Sequence, residues 1–336
     1  MTTPVVDVHA HWLPRELFAL PPGVPFGGLR DVDGELHLGD VPLSIRATAM
    51  SDVDAVRDDM AAAGIDVRVL SAPPFAFPVG TEGAADYVAA FNAALAEVVT
   101  GPASDDRRLL GLGLVDLADA DARRIRREVG ALAATDGIVG VAIPPVLAGT
   151  SLDTGVLRAV LAAAAETELA VLVHPMQLPR PEWGGHYLAN LVGNPTETAT
   201  AVAAVLLGGV IEEYPTLRVC FVHGGGCAPG LLGRWDHGWR TRADVRRHST
   251  RPPSEGFRQV FFDTVTHGGE QLRLLGALAG PDRLVCGSDY PFDMAQDQPV
   301  RFATDHGISA TALGTAGAAF LPRVHDQAKP RKAVLR

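Results

Sequence analysis

The chain alternates two kinds of apolar pattern. Short β-rich runs occur at residues 5–11, 67–71, 109–115, 138–143, 169–173, 217–222, 260–264 and 283–287, and the one at 169–173 is continuously apolar. A run without polar alternation, bounded by turn residues, suits a parallel strand buried on both faces. Between these runs apolar residues recur at helical spacing over 53–63, 82–99, 119–134, 156–166, 195–214 and 310–320. Ser51 is placed to cap the first of these helices, and Gly64 to stop it. Residues 12–45 break the rhythm. They are rich in proline and glycine (Pro14, Pro21, Pro22, Pro25, Gly27, Gly28) and read as a long loop or small β excursion around 35–38. Eight strands with intervening helices predict an α/β fold, a (β/α)8 TIM barrel with an N-terminal loop or small β insertion. No internal repeat or second domain is visible, so residues 1–322 are expected to form one domain, with 323–336 a basic C-terminal tail.

Composition narrows the function. Hydrophobic residues make up 47% of the 336 and charged residues 20%, enough for a large core. A formal charge of −10 argues against nucleic acid and anionic membrane as partners, while a few local arginines can still hold a small anionic substrate. Lysine occurs only at Lys329 and Lys332, which leaves no internal lysine to bridge two metals or form a Schiff base. The cysteines, Cys220, Cys227 and Cys286, are odd in number and expected to be reduced core residues. With no secretory signal and no apolar run long enough to span a bilayer, the chain is expected to be cytoplasmic.

The candidate chemistry lies where strands end. In Asp7-Val8-His9-Ala10-His11 the two histidines sit two apart on a strand, hence on one face, and can grip one metal ion. His174 follows the fifth predicted strand, His223 the sixth and Asp289 the eighth. Catalytic groups of an α/β barrel gather at the C-terminal ends of its strands, so these five residues are expected to share one pocket. Each alone could be an ordinary loop residue. The barrel frame is what makes them converge.

These residues also carry a resemblance. Asp7-Val8-His9-Ala10-His11, Val173-His174-Pro175, Gly193-Asn194-Pro195-Thr196-Glu197-Thr198, Phe221-Val222-His223-Gly224-Gly225-Gly226 and Gly287-Ser288-Asp289-Tyr290-Pro291-Phe292 occur in the order seen in the amidohydrolase superfamily. The sequence resembles its 2-amino-3-carboxymuconate-6-semialdehyde decarboxylase-like branch. The resemblance implies that His9, His11, His174 and Asp289 bind one divalent metal, Zn2+ or alternatively Mn2+, with no organic cofactor. It implies that His223 is the acid/base group, with Asp289 sharing in proton delivery where the substrate binds the metal directly. Neutral imidazoles and a carboxylate suit zinc, and histidine exchanges protons near neutral pH.

Arg234 falls where the resembling enzymes place a substrate arginine contributed by the neighbouring subunit, which implies a homodimer. Arg46 lies near the position of a second such arginine. Trp183 and Tyr187, in the loop after His174, are candidates to cover a planar substrate. Asp7 is expected to support the site or to pack, and His186, His237, His248 and His267 are assigned no role. One departure is Gly314-Thr315-Ala316-Gly317-Ala318, which replaces the Gly-Asn-Ala pattern of these proteins.

The expected activity is metal-dependent, non-oxidative decarboxylation of an unsaturated or aromatic carboxylic acid. The alternative is a metal-dependent hydrolase of an ester, lactone, amide or vinylogous C–C bond. The His-Gly-Gly-Gly run also evokes a serine esterase, but no Gly-x-Ser-x-Gly elbow accompanies it. A barrel that binds without turnover is the third reading, opposed by five intact polar positions.

Overall fold

A computed structural model describes residues 3–19, 28–77, 83–101, 109–118, 121–178 and 180–323. Eight parallel strands form its centre: β1 (Val6–His11), β2 (Val67–Ser71), β3 (Leu109–Gly113), β4 (Ile138–Ile143), β5 (Ala170–Val173), β6 (Val219–Phe221), β7 (Phe261–Asp263) and β8 (Leu284–Val285). They pair in chain order, and the ring closes where Asp7 bridges Cys286 and Ala10 bridges Tyr290. All six residues of β1 and all six of β4 are buried; β4 is apolar throughout, as a strand covered on both faces should be, whereas β1 alternates Val6, Val8 and Ala10 with Asp7, His9 and His11. This is the expected (β/α)8 barrel.

The helices relevant to the site are α1 (Val53–Ala63), α2 (Ala84–Thr100), α3 (Ala122–Ala133), α4 (Gly155–Thr167), α5 (Asn194–Leu207), α6 (Ala228–Thr241), α7 (Gly269–Ala279) and α8 (Ala310–Phe320). Gly64 ends α1 in the left-handed region at φ 71°, where a Cβ would be strained. The cap at its start is Asp52 and not Ser51. The Asp52 carboxylate accepts from the Asp54 amide, whereas the Ser51 hydroxyl donates back to the Ala47 carbonyl. The expected helix over 195–214 is also divided. Gly208 and Gly209 interrupt it, Gly209 at φ 69°, and a separate turn follows at Val210–Glu213. Helix α3 starts at Ala122 behind an Asp121 cap. The expected first residues of α2 and α3, Glu82 and Asp119, lie outside the described residues, as do Pro21, Pro22, Pro25, Gly27 and residues 324–336 of the tail.

The N-terminal excursion is larger than a single β turn. Leu29–Val32, Glu35–Leu38 and Val41–Arg46 form a three-stranded antiparallel sheet. Its strands are short and largely exposed, so they lack the buried stripe that marks a strand in sequence. Leu38, Val41, Pro42 and Leu43 from this sheet form one wall of the cavity over the barrel.

Candidate metal centre

Four imidazoles and two carboxylates meet at the C-terminal ends of the strands. The register of β1 against β2 shifts between Asp7 and Ala10, so the strand is bulged where it presents His9 and His11. His174 follows β5, Asp263 ends β7, and His223 and Asp289 stand in the loops after β6 and β8. The last two adopt φ of 54° and 62°, a strained region for residues with a Cβ. Ring centroids of His9, His11 and His174 lie 4.9–5.2 Å apart, and His223 stands 5.2 Å from His9.

Hydrogen bonds on the outer side fix which nitrogen of each ring faces inward. His9 Nδ1 pairs with the Asp263 carboxylate at 2.6 Å, His11 Nδ1 with the Ala72 carbonyl at 3.1 Å, and His174 Nδ1 with the Pro175 carbonyl at 2.7 Å. Each partner is an acceptor, so each Nδ1 carries the proton and donates it. Each Nε2 therefore faces inward, and offers a lone pair wherever its ring is neutral. His9 Nε2 and His174 Nε2 are buried without a hydrogen-bond partner. Asp289 Oδ1 lies 3.1 Å from both His9 Nε2 and His11 Nε2. Four electron-pair donors, one each from His9, His11, His174 and Asp289, thus lie within 4.8 Å of one another, all buried. Such a set repels itself unless a cation or a proton sits between its members. Three imidazole nitrogens and a carboxylate oxygen fit a divalent metal.

Without a metal, protons take that role. Burial opposes a charge on His9, but Asp289 and the hydrogen bond to Asp263 overcome it and raise its pKa to about 10. Burial pushes His174 down to about 3 and lowers His11 as well. Burial also opposes the Asp289 carboxylate, yet His9 and the hydrogen bonds from His11, His174 and His223 hold it well below the usual range. His223 stands beside these groups, with Nε2 at 3.3 Å from Asp289 Oδ2 and its buried Nδ1 unpartnered.

A buried scaffold holds the rim. The Arg68 guanidinium, fully buried, donates from Nε to Asp7 Oδ2 at 2.9 Å and from an Nη to Asp59 at 2.7 Å, and covers the Tyr290 ring at 4.6 Å. Asp7 in turn accepts from the Ser288 hydroxyl at 2.7 Å and from its amide at 3.1 Å. The residue before Asp289 is thereby tied to the start of β1. Glu197 accepts from the amides of Met176 and Leu178 at 2.9 and 2.6 Å, fixing the loop that leaves His174. Gly226, at φ 60°, passes so close to the Pro195 carbonyl that a Cβ would collide with it, which docks the His223 turn on the first turn of α5.

Two chambers open from the centre, sharing Asn190, Asn194, His223, Asp289 and Met294. One, of about 360 Å³, includes His174 and has apolar walls from Leu38, Leu43, Phe75, Met176 and Phe292. The other, of about 410 Å³, runs past Cys227, Val265, Thr266 and Leu274.

The expected pocket residues His9, His11, His174, His223 and Asp289 do converge. Tyr187 lines the first chamber. Trp183 lines neither chamber; its ring packs against Gly193 and lies under the Arg180 guanidinium at 4.9 Å. Arg46 is exposed at the end of its strand and Arg234 is exposed on α6, and neither is among the lining residues. No arginine or lysine of the described residues lines either chamber. Cys220 and Cys286 are buried as expected. Cys227 is exposed and forms part of the second chamber's wall, since it lies in the turn that leads into α6. The sequence alone assigns no role to Asp263, Asn194 or His267, of which the last two line the chambers. A carboxylate directly after the apolar run Val260-Phe261-Phe262 was the available signal for Asp263.

Comparison with known proteins agrees with this geometry. The profile of the Amidohydrolase family matches residues 6–318. A curated 2-amino-3-carboxymuconate-6-semialdehyde decarboxylase from Dictyostelium discoideum is 28% identical over 313 residues, covering 88% of this chain and 83% of the relative. Among solved structures, Metarhizium anisopliae IDCase in apo form superposes with a TM-score of 0.81 at 23% identity, covering 97% of this chain and 98% of the other. A 5-carboxyvanillate decarboxylase from Novosphingobium aromaticivorans, complexed with manganese and 4-hydroxy-3-methoxy-5-nitrobenzoic acid, gives 0.73 at 18% identity, covering 95% and 96%. The structural likenesses establish a shared fold.

Proposed function

Given that the chain belongs to the amidohydrolase family, we propose that it is a metal-dependent carboxy-lyase removing CO2, without oxidation, from an unsaturated or aromatic carboxylic acid. The observation that carries this reading is the inward convergence of three imidazole lone pairs and the Asp289 carboxylate beside His223, at the mouth of an apolar cavity. Relatives whose names describe decarboxylases support the reaction class.

His9, His11, His174 and Asp289 hold one divalent ion, and the donor set favours Zn2+, with Mn2+ the alternative that the manganese-bound structural neighbour supports. Bound there, the ion supplies Lewis acidity that polarises a substrate oxygen or acidifies water. His223 moves the proton at Nε2, the nitrogen that faces Asp289 Oδ2, and Asp289 shares in its delivery. The proton goes to the carbon that bears the carboxylate. A π pair of the substrate forms the new C–H bond; the C–C bond then breaks, its electron pair restores the π system, and CO2 leaves. Leu38, Leu43, Phe75, Met176 and Phe292 exclude water from the planar portion of the substrate, with Tyr187 at the rim.

Neither chamber supplies a guanidinium for a substrate carboxylate. Arg234 is exposed on α6, and in this reading its guanidinium reaches the cavity of a second copy in a homodimer. The protein is read as one domain over residues 1–322, cytoplasmic, with no nucleic-acid or membrane partner. No helix among the described residues is long and apolar enough to cross a membrane.

The test is mass spectrometry of products after metal-loaded protein is incubated with unsaturated and aromatic acids and with their esters and lactones. Products lighter by CO2 are expected. Products heavier by water, with none lighter by CO2, would replace this reading with hydrolysis.

A further inference from the structure

One buried polar group in the cavity takes no part in the metal centre. Asn194 is the first residue of α5 and directly follows a single π turn over Ala189–Gly193, a distortion frequent at functional sites. Asn194 belongs to the walls of both chambers, where both also meet His223 and Asp289. The residue is only 6% exposed, and its carboxamide oxygen is buried without a hydrogen-bond partner. A buried amide oxygen that has lost water and gained no donor is costly, so the site favours a ligand that brings one.

The backbone around this group is held firmly. The Asn194 carbonyl accepts from the Thr198 hydroxyl at 3.0 Å, and the next carbonyl, of Pro195, accepts from the Cys227 amide at 3.2 Å. The same Pro195 backbone is the surface against which Gly226 packs without room for a Cβ. The turn that carries His223 and the start of α5 are therefore docked together, and the Asn194 backbone keeps a fixed relation to the acid/base group. A buried, unpaired acceptor selects strongly, because a ligand lacking the matching donor leaves it unsatisfied.

We propose that Asn194 is a substrate-recognition residue, whose carboxamide accepts a hydrogen bond from a hydroxyl or amino group of the substrate distinct from the reacting carboxylate. The preferred acid then carries a second polar substituent, directed at the junction of the two chambers. The inference rests on the decarboxylase reading for the nature of the acid, but the hydrogen bond can be tested by binding alone.

The experiment is calorimetric titration of the metal-loaded protein with benzoate, 3-hydroxybenzoate and 4-hydroxybenzoate. In the latter two the hydroxyl is too far from the carboxylate for both to reach one metal, so chelation does not imitate recognition. At least one hydroxybenzoate is expected to bind about tenfold more tightly than benzoate. In Asn194→Leu that preference should fall to near unity, with metal content and melting temperature unchanged. If Asn194→Leu does not fold, Asn194→Ala is read in the same way. Equal binding of all three ligands by the wild-type protein overturns the proposal, as does a preference that survives the substitution. A preference abolished by the substitution supports it, even if the protein releases no CO2 from any acid. That combination would reject the reaction and keep the recognition residue. CO2 release with an unaltered preference would do the reverse.

Discussion

Asp263 accepts a 2.6 Å hydrogen bond from His9 Nδ1 on one carboxylate oxygen, and on the other accepts the amide of Gly224 at 2.8 Å. One side chain at the end of β7 therefore aims a candidate metal ligand and anchors the backbone next to His223. The candidate metal centre and the proposed acid/base group are positioned by the same carboxylate. Asp263 is fully buried and its pKa is lowered, because the interactions with His9 outweigh the burial that opposes its charge.

Asp263→Asn tests that double role. An asparagine has one acceptor oxygen, so it cannot serve both His9 and Gly224 in the way the carboxylate does. Metal affinity should fall by about 10–100-fold, the usual consequence of removing a hydrogen-bond partner behind a ligating histidine. Competition with a chromophoric chelator measures it. An affinity equal to that of the wild-type protein would mean that His9 needs no support from Asp263.

Arg68 and Asp7 form a pair with both side chains fully buried. Arg68→Met should destabilise the protein by about 3–5 kcal/mol, since it strands the Asp7 carboxylate beneath the Ser288 turn. The Asp7→Asn/Arg68→Met double variant should recover much of that loss, because no uncompensated charge remains. Urea unfolding of the two variants checks both statements. A single variant as stable as the wild type would show that Ser288 and the His9 amide suffice to hold Asp7.

Metal binding should be linked to proton release. In the metal-free protein His9 titrates at about 10, so it is protonated at pH 8, and its Nε2 must lose that proton to become a ligand. Calorimetry in buffers of different ionisation enthalpy should report about one proton released per metal at pH 8. No release would show that His9 is already neutral or is not a ligand. The sign of the linkage follows from the same shift. His9 is raised above its unfolded value, so its contribution to metal-free stability is complete below about 6.5 and lost as pH rises through 10. His174 is depressed to about 3, so its burial destabilises the metal-free chain progressively as pH falls below about 6.5.

Much of this site was legible because barrel strands end abruptly. His174 and His223 follow runs of buried apolar residues, and that boundary marks a strand end as clearly in sequence as in space. The partners of those residues were harder to read. Asp263 looks like any polar residue terminating a strand, and only the closed barrel brings it to His9 from 254 positions away. The three-stranded excursion carries too little buried surface to print a pattern. Trp183 and Tyr187 sit four residues apart in one loop, yet the structure sends one against Gly193 and the other to the cavity. The cap at Asp52 instead of Ser51 depended on which side chain turned forward along the helix, a choice spacing leaves open.

The central claim separates the residues that hold the metal from the residue that moves the proton, and His223→Ala tests it most directly. Bound metal per chain and CO2 release should be measured on the same preparation. The variant should hold about one metal ion per chain, as in the wild type, with turnover reduced by about 100-fold or more, the scale of a lost acid/base group. Loss of the metal together with activity would contradict it, making His223 a ligand and leaving the proton without an assigned carrier.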